Sequence, residues 1–509
     1  MRYVLRVLGY FIEDQEMGDI KMNQIDAAET SRLSDAIREI MPALEDFNQF
    51  RKQDLAAFQR STWMAALDQP LPESGAGLQQ VLHELTETII PYGFRNGSPG
   101  FSSYVTTAPT TAGTAAALAA TVAGSQRWHV HPFNYLETIA LRWLAALLDL
   151  PSNWQGTFTS GGSIANIIGL GAARQWALER HGYDTSQDGL PPNLRYRVYA
   201  SSEVHHVVIR AAAVLGLGRR AVAPISVDAK QRIDLDYLRE ALEGDRAKGI
   251  LPIAIVANAG TVNTGAIDPL EQMAEIASKY DTWLHVDGAY GLFGVLDPRV
   301  APLFRGIERA GSVVVDPHKW LAAPVGCGAV FVRNRALLGR TFTGEPAEYL
   351  EGAVEISEEI HSPYDNFGEL YHDFNLELSA PSRGVQVWAI LKEVGAKGMR
   401  ERVIQHNNFA RHLALRVEKD DRLELLAEPV LSICCFRYCP PQVEEADIDQ
   451  LNAKIVSRLR ADGIYVPSTT RVNGKLAIRP CYINPRTSIS EVNGLVDQVR
   501  EIGDSLLSR

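Results

Sequence analysis

Between Gly156 and Asn334 short apolar runs alternate with helix-patterned stretches, and this alternation constrains the fold more than any other feature of the chain. The runs read GTFT, YRVYAS, LPIAIVANAG, TWLHVDGA, SVVVD and GAVFVRN. Between them lie SIANIIGLGAARQWALE, VVIRAAAVLG and LEQMAEIASKY. Several of the runs are continuously apolar rather than alternating. Strands of that kind are buried on both faces, so an α/β fold with a mostly parallel central sheet covered by helices is expected. Asp268 and Pro269 are expected to open the helix LEQMAEIASKY as N-cap and first helical residue. In such sheets ligands bind beyond the carboxyl ends of the strands.

Upstream, residues 30 to about 90 are helix-like. In LETIALRWLAALL, Leu136, Ile139, Ala140, Trp143, Leu144, Leu147 and Leu148 follow the spacing of an amphipathic helix. Near residue 393 the character changes. A helix over about 395–418 precedes LELLAE, VLSICCFRY, a helix over about 446–462, IYVPS, KLAIRPCYI and a closing helix, the pattern of a smaller α+β unit. The expected organisation is an N-terminal helical segment (1–90), a large domain (91–392) and a small C-terminal α+β domain (393–509). The opening stretch MRYVLRVLGYFIEDQE is broken by Arg6, is too short to span a membrane and lacks a small-residue cleavage site. The 21 residues before Met22 read as an upstream start or a loose tail.

The 509 residues allow a large core and more than one domain. A formal net charge of -11, without a Lys/Arg-rich run, argues against a nucleic-acid partner. No transmembrane segment is evident. The five cysteines, Cys327, Cys434, Cys435, Cys439 and Cys481, suit a reducing, cytoplasmic setting. No metal is expected: Cys434 and Cys435 are adjacent on a strand and point to opposite faces, and no C-x-x-C pair exists.

Five polar features fall at predicted strand ends. Gly161, Gly162 and Ser163 sit where a strand gives way to a helix, a natural phosphate site, although Gly-Ser turns are common. His205 follows YRVYASSEV, where a helix cap is the ordinary reading. Thr261 and Asn263 follow IAIVANAG. Asp287 ends WLHV and needs a partner to offset its desolvation. Lys319, in VDPHKW, follows a buried-looking strand; it either snorkels to solvent or uses its amine chemically, since burial makes a lysine amine nucleophilic. Each has a plain structural reading, but a flat, phosphorylated, cationic aromatic cofactor would use all five. The turn would hold its phosphate, Asp287 its protonated ring nitrogen, His205 and Ala289 its two faces, and Lys319 its aldehyde. That cofactor is pyridoxal 5′-phosphate.

TSGGS, ASSEVHH, NAGTVNTGAIDPL, WLHVDGAYG and VDPHKW, in this order, resemble the group II pyridoxal-phosphate-dependent amino-acid decarboxylases, which include aromatic-L-amino-acid, histidine and glutamate decarboxylases. The resemblance runs from about residue 60 to the C-terminus. The most specific pair is HVDGAYG with PHKW, Asp287 and Lys319 lying thirty-two residues apart. It implies a fold-type-I, aminotransferase-like architecture, a small-molecule amino-acid substrate and a homodimer with active sites at the subunit interface. Residue by residue it implies Lys319 as the Schiff-base lysine, Asp287 as the partner of the pyridine nitrogen and His205 as the stacking histidine. Gly162 and Ser163 match its phosphate turn, Thr261 a cofactor-contacting threonine and His318 the histidine before the lysine. Tyr349 matches a tyrosine on a mobile catalytic loop, and Arg479 an arginine that in glutamate decarboxylases binds the substrate carboxylate.

Two positions depart from the family pattern. Asp316 stands where many relatives carry asparagine near the phosphate, which places its cofactor role in question. Gly288 replaces a frequent alanine and is expected to loosen packing beside the ring. The family's pocket segments here carry Asn96, Ser102, Val105 and Gln126, while Tyr104 and Trp128 remain, so the pocket reads as more polar than one for a catechol or indole. His129 and His131 read as structural residues of an interface loop. The implied activity is α-decarboxylation of an L-amino acid to a primary amine. The enzymatic alternative is an oxidative aldehyde synthase or another Cα-bond-cleaving enzyme of the same fold; Tyr349 and His205, often replaced in the aldehyde synthases, favour decarboxylation. The non-enzymatic alternative is a silent relative acting as a binding or regulatory protein.

Overall fold

A computed structural model describes residues 32–49, 60–124, 130–343 and 371–508. Two compact units are present, one ending at Arg95 and one running from Asn96 onward. In the first, helices Leu33–Phe47, Arg60–Leu67 and Leu78–Glu84 are described, and the Arg95 guanidinium donates to the Asp46 carbonyl at 2.5 Å.

The second unit contains both sheets. Its strands are β1 (Phe101–Ser102), β2 (Gln155–Thr159), β3 (Arg195–Ser201), β4 (Val222–Ile225), β5 (Ile250–Asn258), β6 (Trp283–Asp287), β7 (Ser312–Val315), β8 (Gly328–Val332), β9 (Leu423–Ala427), β10 (Cys435–Tyr438), β11 (Val466–Val472) and β12 (Lys475–Arg479). Seven form the large sheet in the order β2-β8-β7-β6-β5-β3-β4. Pairing is parallel throughout β4-β3-β5-β6-β7, and β8 runs antiparallel to both its neighbours. The apolar runs are buried because helices such as Gly162–Glu179 and Leu270–Lys279 cover the sheet, so side chains on both faces leave water. Asn258 pairs with Asp287, and Asp287 with Val314, so three carboxyl-end residues lie side by side.

Asp268 does not cap the helix. Pro269 takes the N-cap position, and the Asp268 carboxylate instead accepts from the backbone N–H groups of Ile233 and Asn258, both at 2.7 Å. A fully buried carboxylate gains more from two converging N–H groups than from a solvated helix end.

The smaller sheet has the order β1-β11-β12-β10-β9. Its β11–β12 hairpin turns on Asn473 and Gly474, both with positive φ, as a two-residue type I′ turn requires. β1 adds parallel to β11, bringing a segment near residue 100 against the C-terminal sheet. Helix Arg383–Glu418 is broken at Gly395, whose φ of 65° and ψ of 174° are not helical.

Candidate active site

The carboxyl ends of β2, β3, β5, β6 and β7 open into a cavity of about 770 Å³. Gly161, Gly162, Ser163, His205, Asp287, Ala289, His318, Lys319, Tyr104 and Arg479 all line it. The sequence-predicted residues thus converge, with two exceptions. Thr261 is buried and is not among the lining residues; its hydroxyl pairs with Thr264 Oγ1 at 3.1 Å and accepts from the Ala266 N–H, closing its own turn. Tyr349 lies outside the described residues, as do Gln126, Trp128 and His129.

Gly161, with φ of 134°, precedes helix Gly162–Glu179, whose first N–H groups have no acceptor within the helix. With the helix dipole they make the turn an anion cradle. A Cβ on Gly162 would lie 2.7 Å from Asp316 Oδ2, and one on Gly328 2.6 Å from Gly161 Cα. Only bare backbone lets β8, the turn and Asp316 pack this closely.

Asp287 is buried, and its carboxylate accepts from Asn166 Nδ2 at 3.3 Å and from the Ala289 N–H at 3.1 Å. Behind Asn166 lies a directed chain that no motif in the sequence announces. An indole N–H can only donate, so Trp283 Nε1 donates to Ser312 Oγ at 2.9 Å. Ser312 then gives its hydroxyl proton to His285 Nδ1 at 2.7 Å. His285 Nε2–H donates to Asn166 Oδ1 at 3.0 Å, which turns the Asn166 amide toward Asp287. Burial holds the His285 imidazole neutral by pushing its pKa down to about 4, so each link has a defined direction. Gly169 makes room for this: a Cβ there would sit 2.6 Å from His285 Cε1. The available clues were an asparagine inside the apolar helix SIANIIG and a histidine inside a buried strand, since buried polar groups need partners.

Burial is also the main cause of a lowered His205 pKa; the Asp287 carboxylate opposes it. Lys319 Nζ lies 2.9 Å from Asp316 Oδ2, so the lysine does not snorkel to bulk water but ends on a buried carboxylate. Arg479 is 3% exposed and heavily engaged. It donates to the carbonyls of Tyr104 (2.6 Å), Asn263 (3.1 Å) and Val262, and to Ser468 Oγ (3.3 Å). Little of its donor capacity remains for a ligand. Gly288 does not loosen the site, because a Cβ there would meet Leu292 Cβ at 2.8 Å and the Val314 carbonyl at 3.0 Å. Asn258, Tyr290, Arg460, Ser468 and Thr469 are further lining residues beyond those foreseen. The Cys435 thiol is pushed up to about 12 and the Cys434 thiol well upward, both by burial.

A turn of free N–H groups, a braced carboxylate and a lysine amine meet at the carboxyl edge of this sheet, and these residues fit pyridoxal phosphate. Residues 61–439 match the model of the pyridoxal-dependent decarboxylase conserved domain. The chain is 31% identical over 451 residues to the aromatic-L-amino-acid decarboxylase of Bacillus atrophaeus, covering 86% of this chain and 88% of the relative. It is 28% identical over 440 residues to the L-2,4-diaminobutyrate decarboxylase of Rhizobium meliloti (strain 1021), covering 86% and 84%. Among solved structures, the glutamate decarboxylase domain of diaminobutyrate-pyruvate transaminase and L-2,4-diaminobutyrate decarboxylase from Vibrio parahaemolyticus superposes with a TM-score of 0.79 at 25% identity, covering 96% of this chain and 97% of that one. The chain belongs to the pyridoxal-phosphate-dependent amino-acid decarboxylase family and is a carboxy-lyase.

Proposed function

We propose that this chain decarboxylates an L-amino acid with a polar side chain, releasing a primary amine and carbon dioxide, and that Lys319 is the covalent tether of its cofactor. The observation that carries the reading is the convergence of the Lys319 amine, the Asp287 carboxylate and the Gly161–Ser163 turn on one cavity. Pyridoxal phosphate supplies an aldehyde that captures amines and a ring that accepts the electron pair left by departing carbon dioxide. The chain's own groups do the rest. The turn N–H groups of Gly162 and Ser163 would hold the phosphate. Asp287, braced by Asn166 and Ala289, would keep a proton on the ring nitrogen. His205 and Ala289, both lining the cavity, would flank the ring, and the largely neutral imidazole of His205 suits it to orient the substrate or pass a proton. His318 donates Nδ1–H to the Cys327 carbonyl at 2.7 Å, which fixes its ring beside the turn. Tyr349 is the proposed acid that protonates the product carbon, by resemblance. Arg479 holds the Tyr104 and Val262–Asn263 segments in the cavity wall.

The polar-substrate reading rests on Asn263, Ser468, Thr469 and Arg460 in that wall, against Tyr104 as an aromatic contributor. The two relatives named above act, by their names, on aromatic amino acids and on diaminobutyrate, so the family spans both kinds of side chain. A homodimer is proposed because Leu118 and Val122 on helix Thr111–Ala123, and Tyr135 and Trp143 on helix His131–Leu147, are exposed apolar side chains suited to a subunit interface. The cytoplasm is proposed because all five cysteines are free thiols. No described helix is long and apolar enough to cross a membrane.

The test is mass spectrometry of products from the protein loaded with pyridoxal phosphate and given a panel of L-amino acids, with amine, aldehyde and peroxide assayed together. Amine without peroxide, from a polar substrate, is the expected result. Aldehyde with peroxide would put the oxidative alternative first, and preferential turnover of an unsubstituted aromatic side chain would overturn the polar-pocket reading.

A further inference from the structure

We propose that Asp316 is the resting partner of the Lys319 amine, holding it as a cation between covalent engagements and so setting how readily the lysine captures the cofactor. This rests on the reading of Lys319 as the tether. Asp316 is 1% exposed. Its Oδ2 lies 2.9 Å from Lys319 Nζ, and its Oδ1 is buried without a hydrogen-bond partner. The pairing is built into the chain. Asp316 N–H donates to the Ala289 carbonyl at 3.1 Å and Lys319 N–H to the Asp316 carbonyl at 2.9 Å, which fixes both backbones and turns residues i and i+3 to one side. Two glycines admit the carboxylate: a Cβ on Gly162 would come within 2.7 Å of Oδ2, and one on Gly328 within 2.7 Å of Oδ1.

The other polar groups facing Asp316 do not substitute for the lysine. His318 Nε2 is 3.9 Å away, beyond hydrogen-bond distance, and the ring is held by its Nδ1–H bond to the Cys327 carbonyl. The buried Cys327 thiol is pushed up by burial and stays neutral. His205 is more distant and also has its charged form disfavoured by burial, and Asp287 carries the same sign as Asp316. The ammonium of Lys319 is therefore the cation that offsets this buried carboxylate.

The chemical consequence is direct. An ammonium has no lone pair. Lys319 must first release a proton to solvent; the amine then adds to the aldehyde carbon, a carbon–nitrogen double bond forms, and the carbonyl oxygen leaves as water with the two remaining amine hydrogens. The ion pair with a carboxylate at 2.9 Å must also break before Nζ can reach the aldehyde carbon. When a substrate amine displaces Lys319, the same carboxylate draws the freed, reprotonated lysine aside.

The test follows covalent capture of pyridoxal, which has no phosphate, by cofactor-free protein at pH 7. Capture is read by absorbance and by borohydride trapping with peptide mass spectrometry at Lys319. Asp316→Asn keeps the shape and removes the charge, and capture is expected to be about tenfold faster. Asp316→Ala carries the same expectation should the asparagine variant not fold. Unchanged or slower capture of pyridoxal overturns the proposal. So does acceleration confined to pyridoxal phosphate, which would make Asp316 a like charge opposing the phosphate instead. A trapped adduct at this site in Lys319→Ala would fail the tether assignment itself, separately from the role of Asp316.

Discussion

Asp287 shows what a carboxylate at a strand end requires. Two N–H groups hold it, and the Asn166 amide is itself aimed by a chain running back through His285 and Ser312 to Trp283. Asn166→Ala removes the donor to Asp287 and leaves His285 Nε2–H buried without an acceptor. Loss of a buried hydrogen-bond partner costs about 1–3 kcal/mol. Weaker pyridoxal phosphate binding, by roughly 10- to 100-fold, is therefore expected, with a shifted absorption band of the bound cofactor. Equilibrium titration and the spectrum together check it; an unchanged spectrum and affinity would make the chain ornamental to Asp287. Lys319, His205 and Asp287 were legible in the sequence because each ends an apolar run. Asn166, His285 and Ser312 were not, because a hydrogen-bonded chain joins residues from one helix and two strands and leaves no local pattern.

Among the elements, the runs with strong periodicity became the strands and helices expected of them, and the misses have physical reasons. β4, VAPI, is four residues long and half exposed, and β1 has only two residues, so neither has a run to read. The antiparallel course of β8 is also absent from its pattern, because GAVFV is apolar whichever way it runs. The break in helix Arg383–Glu418 falls at Gly395, where the helical stretch expected from the sequence begins. A Cβ added to Gly395 would have no atom within 4 Å, so Gly395→Ala meets only the backbone penalty of a positive φ. Because φ of 65° with ψ of 174° is a region essentially confined to glycine, a loss of about 1–3 kcal/mol in unfolding free energy is expected from urea titration. A neutral result would mean that the two helical halves can re-join without that kink.

For the whole molecule, buried titratable groups set the acid limb of stability. Burial pushes the pKa of His285 to about 4 and that of His406 to about 3. His406 accepts the Trp320 indole N–H at 3.0 Å and so is held neutral in the fold. Below pH 6.5 the unfolded chain protonates these histidines while the folded one does not, so stability falls as pH falls. Asp268 acts in the opposite sense. Its pKa is raised to about 6, so the folded state takes up its proton first and gains stability as pH drops below 6. Between pH 7 and 5 the two histidines together lose roughly 4 kcal/mol and Asp268 offsets a little over 1, a net loss of about 3 kcal/mol. Urea midpoints at the two pH values check the sum, and His406→Gln, which keeps an acceptor for Trp320, should make the pH slope shallower. Equal stability at pH 5 and 7 would contradict it.

By itself the sequence determined the layered α/β architecture, the carboxyl edge on which the candidate site sits, the cofactor class and three of the residues that meet in the cavity. These follow from periodicity and from residues adjacent in the chain. Only the tertiary structure decided that Arg479 spends its donors on backbone carbonyls, that Thr261 closes its own turn, that Gly288 has no room for a methyl group and that Asp316 grips the lysine. Each of these depends on which atoms from distant segments arrive within about 3 Å of one another, and hydrogen bonding and steric exclusion act at that distance whatever the separation along the chain.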